Sequence, residues 1–284
     1  MRSSINKRFF TLCGLLAALL FLASCSQQQS SRNSGSNSAV LIRADISLKP
    51  TLLDVAENYA YVTTHRMNLQ FATANRILTE PETDSIDVFI FANDHFLEEA
   101  RSLNRADSIG DITIAYAVPS LIVPRFNPYM ITTLSDLKNS KLHIGIVDPK
   151  SDVLGAFALE ILHKNNLHDA VKPRLVTVGP SALDLAERIS KSELDVGVAW
   201  TMSTNWFPES FDVILLVPNE IPRVAAITAV RALSPIDSTG ADRLMTYLNS
   251  DRCQNIFRDW GYLTSEAEIH MYAPAATIGG KPPF

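Results

Sequence analysis

The chain has 284 residues, 46% of them hydrophobic and 19% charged, which is enough to bury one large core or two smaller ones. Its formal net charge of −5 lays down no basic footprint, which sets nucleic acid aside as a partner. Its histidines and cysteines form no HExxH or Cys/His ligand cluster, and GxSxG, GxGxxG and GxxxxGK[ST] are all missing. Metal centres, nucleophile-elbow hydrolysis, dinucleotide binding and P-loop chemistry therefore lack their sequence supports, and no cofactor is expected.

Residues 1–25 read as a secretion leader. Arg2, Lys7 and Arg8 make a positive start, residues 9–21 an apolar run of signal-peptide length, and Leu22-Ala23-Ser24-Cys25 matches a bacterial lipobox. Cys25 is expected to carry lipid as the mature N-terminus, which anchors the protein in the cell envelope outside the cytoplasmic membrane. Residues 26–38, SQQQSSRNSGSNS, contain no core-forming side chain and suit a flexible linker. Cys13 leaves with the leader, so Cys253, set in the apolar pattern of a helix, is expected to be buried without a disulfide partner.

From Ala39 strands and helices alternate. Val40-Leu41-Ile42 predicts a strand and residues 50–61 an amphipathic helix with Ser47 as a cap. Residues 67–71 and 87–92 predict further strands, followed by a short helix at 76–79 and a longer one at 95–103. Strands that are apolar on both faces and separated by helices argue for parallel sheets covered on both sides, with ligands beyond the strands' C-terminal ends. Residues 112–123 form one long extended segment broken only by Pro119, long enough to cross between two lobes.

Residues 141–162 change hydrophobic period in the middle. Leu142, Ile144, Ile146 and Val147 read as a buried strand, whereas Val153, Leu154, Phe157, Ala158, Ile161 and Leu162 recur at helical spacing. The turn between them, Asp148-Pro149 followed by Ser151 and Asp152, sets backbone N–H groups at the positive end of a helix dipole, the design of an anion or polar-ligand site. Asp152 at the cap would compete with an incoming anion unless it points outward. Strands follow at 175–178, 195–200, 213–217 and 225–230, with a helix opened by Gly179-Pro180-Ser181 and a helix pair at 240–259. Residues 273–284, rich in Pro and Gly, are expected to trail along the surface.

In order, Ala44-Asp45-Ile46-Ser47-Leu48, Phe71-Ala72-Thr73-Ala74, Asp87-Val88-Phe89-Ile90-Phe91-Ala92-Asn93-Asp94, Leu134-Ser135-Asp136-Leu137, Gly145-Ile146-Val147-Asp148-Pro149, Ala182-Leu183-Asp184-Leu185-Ala186-Glu187-Arg188 and Ile256-Phe257-Arg258-Asp259-Trp260-Gly261-Tyr262 resemble the landmarks of the molybdate-binding periplasmic proteins of ABC importers. The resemblance implies an α/β, two-lobed type II solute-binding fold, each lobe a mostly parallel sheet flanked by helices and joined to the other by two crossing strands. Lobe 1 would comprise residues 39–116 plus 222–265, lobe 2 residues 119–216, and residues 266–284 a tail, with the ligand trapped between the lobes by hinge closure.

In that family hydroxyls and backbone N–H groups at helix N-termini hold the oxyanion. Carried over residue by residue, the ligand-binding positions are Ser47, the loop Thr73-Ala74-Asn75, the N–H groups near Val153 and Leu154, those between Gly179 and Ser181, and Trp200 in place of the family's tyrosine. The alternative for Ser47 is an ordinary helix cap, and for Trp200 core packing. The second loop departs from the family in keeping only one hydroxyl, and Trp200 changes the reach of its donor. Arg43, Arg76 and Arg125 read as solvated, with Arg76 able to serve as a charged donor to a larger anion.

The function so implied is a lipid-anchored, non-enzymatic receptor, expected as a monomer, that delivers a small molybdate- or tungstate-like anion to an ABC permease. The alternatives are a different small organic or inorganic anion, an enzyme on the same fold, and a lipoprotein adaptor.

Overall fold

The computed structural model describes residues 39–80 and 85–283. The leader, lipid attachment at Cys25 and linker expected from the sequence all lie outside the described residues. No helix among the described residues is long and apolar enough to cross a membrane.

The first strand, β1 (Val40–Asp45), ends on an aspartate whose side chain accepts the Ser47 N–H and so caps the turn Ile46–Leu48. That turn feeds α1 (Lys49–Thr63), which starts with Pro50 in its first turn and stops where Thr64 turns left-handed at φ 61°. β2 (Met67–Ala72), a helical turn at Ala74–Ile77, β3 (Val88–Phe91) and α2 (His95–Ser102) follow. The extended segment comes next as β4 (Ile112–Ala117) and β5 (Pro119–Pro124), with Val118 between them. β6 (Ile144–Val147), α3 (Val153–Lys164), β7 (Leu175–Val178), α4 (Ala182–Ser190), β8 (Val196–Trp200) and β9 (Phe211–Ile214) then run in sequence. The chain closes with β10 (Arg223–Arg231), α5 (Ser238–Leu248), α6 (Asp251–Asp259), α7 (Glu266–Tyr272) and β11 (Thr277–Ile278).

These strands make two sheets, one ordered β11-β10-β3-β1-β2 with β4 also on β10, the other β7-β6-β8-β5-β9. Pairing is parallel where strand–helix–strand units build a sheet, β1 with β2 and β3, β6 with β7 and β8. It is antiparallel where the connecting strands join, β4 and β3 against β10, β8 and β9 against β5. The segment at 112–124 thus leaves one sheet and enters the other across a single residue, so the fold is two lobes joined by crossing strands. Apolar packing is continuous between the sheets: Ile42, Phe91 and Ile227 belong to the same buried cluster as Val147, Leu154, Phe157 and Trp200. That continuity removes water from the ends of the strands that face each other across the lobes.

The C-terminal residues do not trail along the surface. Residues beyond Tyr262 form α7 and then β11, which adds to the sheet in parallel with β10 through Arg223–Thr277 and Val224–Ile278. Gly279 and Gly280 take φ values of 61° and 75°, which a side chain would oppose, and a Cβ on Gly279 would fall 2.3 Å from the Asp94 carboxylate. The turn lets Gly280 donate its N–H to Asp94 Oδ1 at 2.6 Å and accept from the buried Asn93 Nδ2 at 2.9 Å. The Pro/Gly composition here serves a turn beside a sheet edge rather than a free end.

Candidate functional site

The loop after β6 is wound tightly on Asp148, whose carboxylate accepts the Lys150 N–H at 3.0 Å and the Ser151 hydroxyl at 3.1 Å. Only glycine fits behind it: a Cβ on Gly155 would lie 2.3 Å from the Val147 carbonyl oxygen, so α3 starts pressed against the end of β6. Asp152 caps that helix from a buried position, 5% exposed, accepting the Leu154 N–H at 2.9 Å through Oδ1. Its other oxygen, Oδ2, accepts the Ala182 N–H at 3.0 Å. One carboxylate therefore bridges the N-termini of α3 and α4, where N–H groups lack intrahelical partners and the helix dipoles are positive.

Asp45 faces this pair from the other sheet. It is 2% exposed and its Oδ1 accepts both the Ser47 N–H at 2.8 Å and the Ser47 hydroxyl at 2.7 Å. Alongside lies Tyr262, whose phenol accepts the Thr51 hydroxyl at 3.4 Å and whose ionisation is pushed up by burial and by the Asp45 charge. Burial, then the neighbouring Asp45 charge, raises the Asp152 pKa to about 7 against the pull of its two backbone donors. Asp45 is raised as well, mainly by burial. Two carboxyls in one dry site cannot both ionise without mutual repulsion, so the pair titrates as a unit and keeps a proton to near neutral pH. Among the described residues no group of His, Cys, Asp and Glu side chains is placed to hold a metal ion.

Of the residues singled out in the sequence, Ser47, the Leu154 N–H and the helix start after Ser181 converge on this buried point. Each is already engaged: Ser47 with Asp45, Leu154 with Asp152, and the Ser181 hydroxyl with Asp184 at 2.5 Å in a capping box. Trp200, 1% exposed, packs its ring edge-on against Phe157 at 5.6 Å as core. Thr73 donates to Asn75 Oδ1 at 2.8 Å on an exposed turn with Ala74 buried beneath it, and Gly179 is exposed, backed by the Asp184 side chain. Asn75 and Val153 line a cavity between the loop after β6 and the start of α2. Arg76 is exposed and pairs with Glu80. Arg43, expected on a solvated face, is 6% exposed and pairs with the same glutamate, because the turn after β2 folds over it.

Asp45, Thr51 and Tyr262 were not anticipated as members of the site. The Asp45-Ile46-Ser47 spacing carried a usable signal, since Asp followed two residues later by a donor is an Asx turn. Nothing local marks Tyr262, which stands 211 positions from Thr51.

The family model of bacterial extracellular solute-binding proteins matches residues 40–263. The molybdate-binding protein ModA of Rhodobacter capsulatus is 25% identical over 211 residues, covering 71% of this chain and 79% of that protein. The putative ABC transporter substrate-binding lipoprotein YvgL of Bacillus subtilis is 23% identical over 271 residues, covering 90% of this chain and 98% of that protein. Among solved structures, the periplasmic molybdate-binding protein of Azotobacter vinelandii superposes with a TM-score of 0.69 at 16% identity, covering 80% of this chain and 99% of that one. PEB3 of Campylobacter jejuni with L-phospholactate bound gives 0.68 at 16% identity, covering 80% of this chain and 100% of that one. At these identities the structural likenesses show the fold: two lobes of the type II periplasmic-binding-protein kind.

Proposed function

The chain belongs to the bacterial extracellular solute-binding proteins, and from that membership we propose that it is the receptor of an ABC importer, lipid-anchored at Cys25, capturing a small anion between its lobes. The observation that carries the anion reading is the bridge at Asp152: two helix N-termini from one lobe, opposite Ser47 from the other, already hold a carboxylate. Donors that hold a carboxylate of the chain have the chemistry to hold an oxyanion of a solute. Asp152 is then a resident stand-in that must give up the Leu154 and Ala182 N–H groups before the solute takes them.

The names of the molybdate-binding relatives make molybdate and tungstate the first ligands to try. The raised pKa of Asp152 adds a condition, because a protonated carboxyl holds the two N–H groups less tightly and does not repel an arriving anion. Calorimetric titration of the full chain and of Asp152→Ala with molybdate, tungstate, sulfate and phosphate, at pH 6 and pH 8, tests the reading. At least one oxyanion should bind, tighter at pH 6 than at pH 8 in the wild type, and about tenfold tighter in Asp152→Ala, where the donors stand free. No binding of any of the four to either protein would sink the oxyanion assignment.

A further inference from the structure

The cavity lined by Asn75 and Val153 has a volume of about 220 Å³. At about 30 Å³ per liquid water, that is room for about seven waters, or for a small organic molecule of that bulk. Its floor is the loop and first turn that carry Lys150, Ser151 and Asp152, and its far wall carries Asn75 and His95. The remaining side is closed by Lys281 and Pro282. Those two residues lie past residue 263, where the match to the family model ends, so this wall is supplied by a C-terminal extension beyond the matched region.

The extension is built to stay in place. Its turn is held by Asn93 and Asp94 through Gly280, its strand β11 by β10, and the Gly279 carbonyl accepts from Arg223. Arg223 in turn grips Glu160 of α3 with two bonds, of 2.9 and 3.2 Å, with both side chains largely out of water. The same arginine thus ties the extension to the helix whose first turn floors the cavity.

We propose that this cavity is a subsite for the anionic oxygen-bearing group, carboxylate or phosphate, of a small organic solute, held between Lys150 and Lys281. Among the described residues neither ammonium pairs with a carboxylate, so both are available to a ligand. Lys281 is close enough to His95 to help hold its pKa down at about 4, with burial the larger cause, so the imidazole is neutral and offers a hydrogen bond without charge. Asn75 and Ser151 add polar side chains of either hydrogen-bonding sense. The opposing charges are Glu99, exposed on α2, and Asp152 beneath the floor. A solute seated here has its body over the start of α3, next to the buried Asp152.

The inference rests on the receptor reading above and deepens it. The test titrates the full chain with L-phospholactate, which carries both groups, L-malate, which carries only carboxylates, glycerol 3-phosphate, which carries only phosphate, and molybdate, which has no organic body. At least one organic probe should bind, and Lys281→Gln and Lys150→Gln should each weaken it at least tenfold, while Lys281→Arg retains it and the thermal midpoint of the free proteins stays unchanged. The malate and glycerol 3-phosphate arms identify which group the lysines take. Organic-probe affinities within twofold of wild type in both Gln variants, or binding of molybdate alone, would overturn the subsite and leave the receptor standing. No binding of any of the four probes to the wild type would overturn the subsite, and the receptor reading falls with it only if the oxyanion panel above also fails to bind.

Discussion

The buried carboxyl of Asp152 makes the stability of this protein depend on pH in an unusual direction. Most aspartates in folded proteins are held below their unfolded pKa, so folding gains from their ionisation. Asp152 is held above it, at about 7 against a reference of 3.8, because it sits out of water beside Asp45. Its contribution is fully present below about pH 4 and is lost as pH rises through 7. A difference of about 3 pKa units corresponds to about 4 kcal/mol between the two ends of that window. For a fold of this size, that is about 10 °C in thermal midpoint.

Replacing Asp152 by Ala removes the titration but leaves the Leu154 and Ala182 N–H groups without acceptors, at about 1–3 kcal/mol each. At pH 5 the variant should therefore be clearly less stable than the wild type, and at pH 8 the two should approach each other. Urea or thermal unfolding of both proteins at half-unit steps between pH 5 and pH 8 measures the convergence. Parallel curves, or a wild type that gains on the variant as pH rises, would refute the placement of an ionisable Asp152 in a dry site.

Other consequences can be checked with the same preparations. Gly155→Ala puts a methyl 2.3 Å from the Val147 carbonyl oxygen, backbone that cannot yield, and should cost at least about 1–3 kcal/mol in urea denaturation. Trp200→Ala empties a fully buried site against Phe157 and should cost about 3–5 kcal/mol, whatever solute is present. Cys253 is buried with its thiol pKa pushed up to about 12, so it should react with a disulfide reagent only on unfolding, seen as a thiol release that tracks the denaturation curve. Arg223→Ala should release the C-terminal extension, detected as faster trimming of the last residues by carboxypeptidase while the rest of the chain stays resistant.

Much of the architecture is legible in the residue pattern. Short continuous apolar runs bounded by turns, such as residues 88–91, read as strands covered on each side, and helices of period 3.6 between them supplied the covers. The extended run at 112–123, broken only by Pro119, announced a crossing between sheets, because no helix signal interrupts it. The turn at 148–152 announced a helix N-terminus with unpaired N–H groups, and the aspartate at its cap raised the question of what those groups would hold.

Tertiary structure alone decided the answer. Whether Asp152 points inward depends on how α3 is rolled against β6, and its second partner, the Ala182 N–H, lies 30 positions away on another helix. Tyr262 reaches Thr51, beside Asp45, only because α6 and the turn after it pack across α1, an alignment no local period encodes. Arg43 alternates like a solvent-facing strand residue and is buried because a distant turn covers it. The C-terminal Pro/Gly stretch reads as a loose end until the partners of Gly280, nearly two hundred residues earlier, are brought beside it. Periodicity reports which face of an element seeks a core. Which polar groups meet across that core is set by how the elements pack.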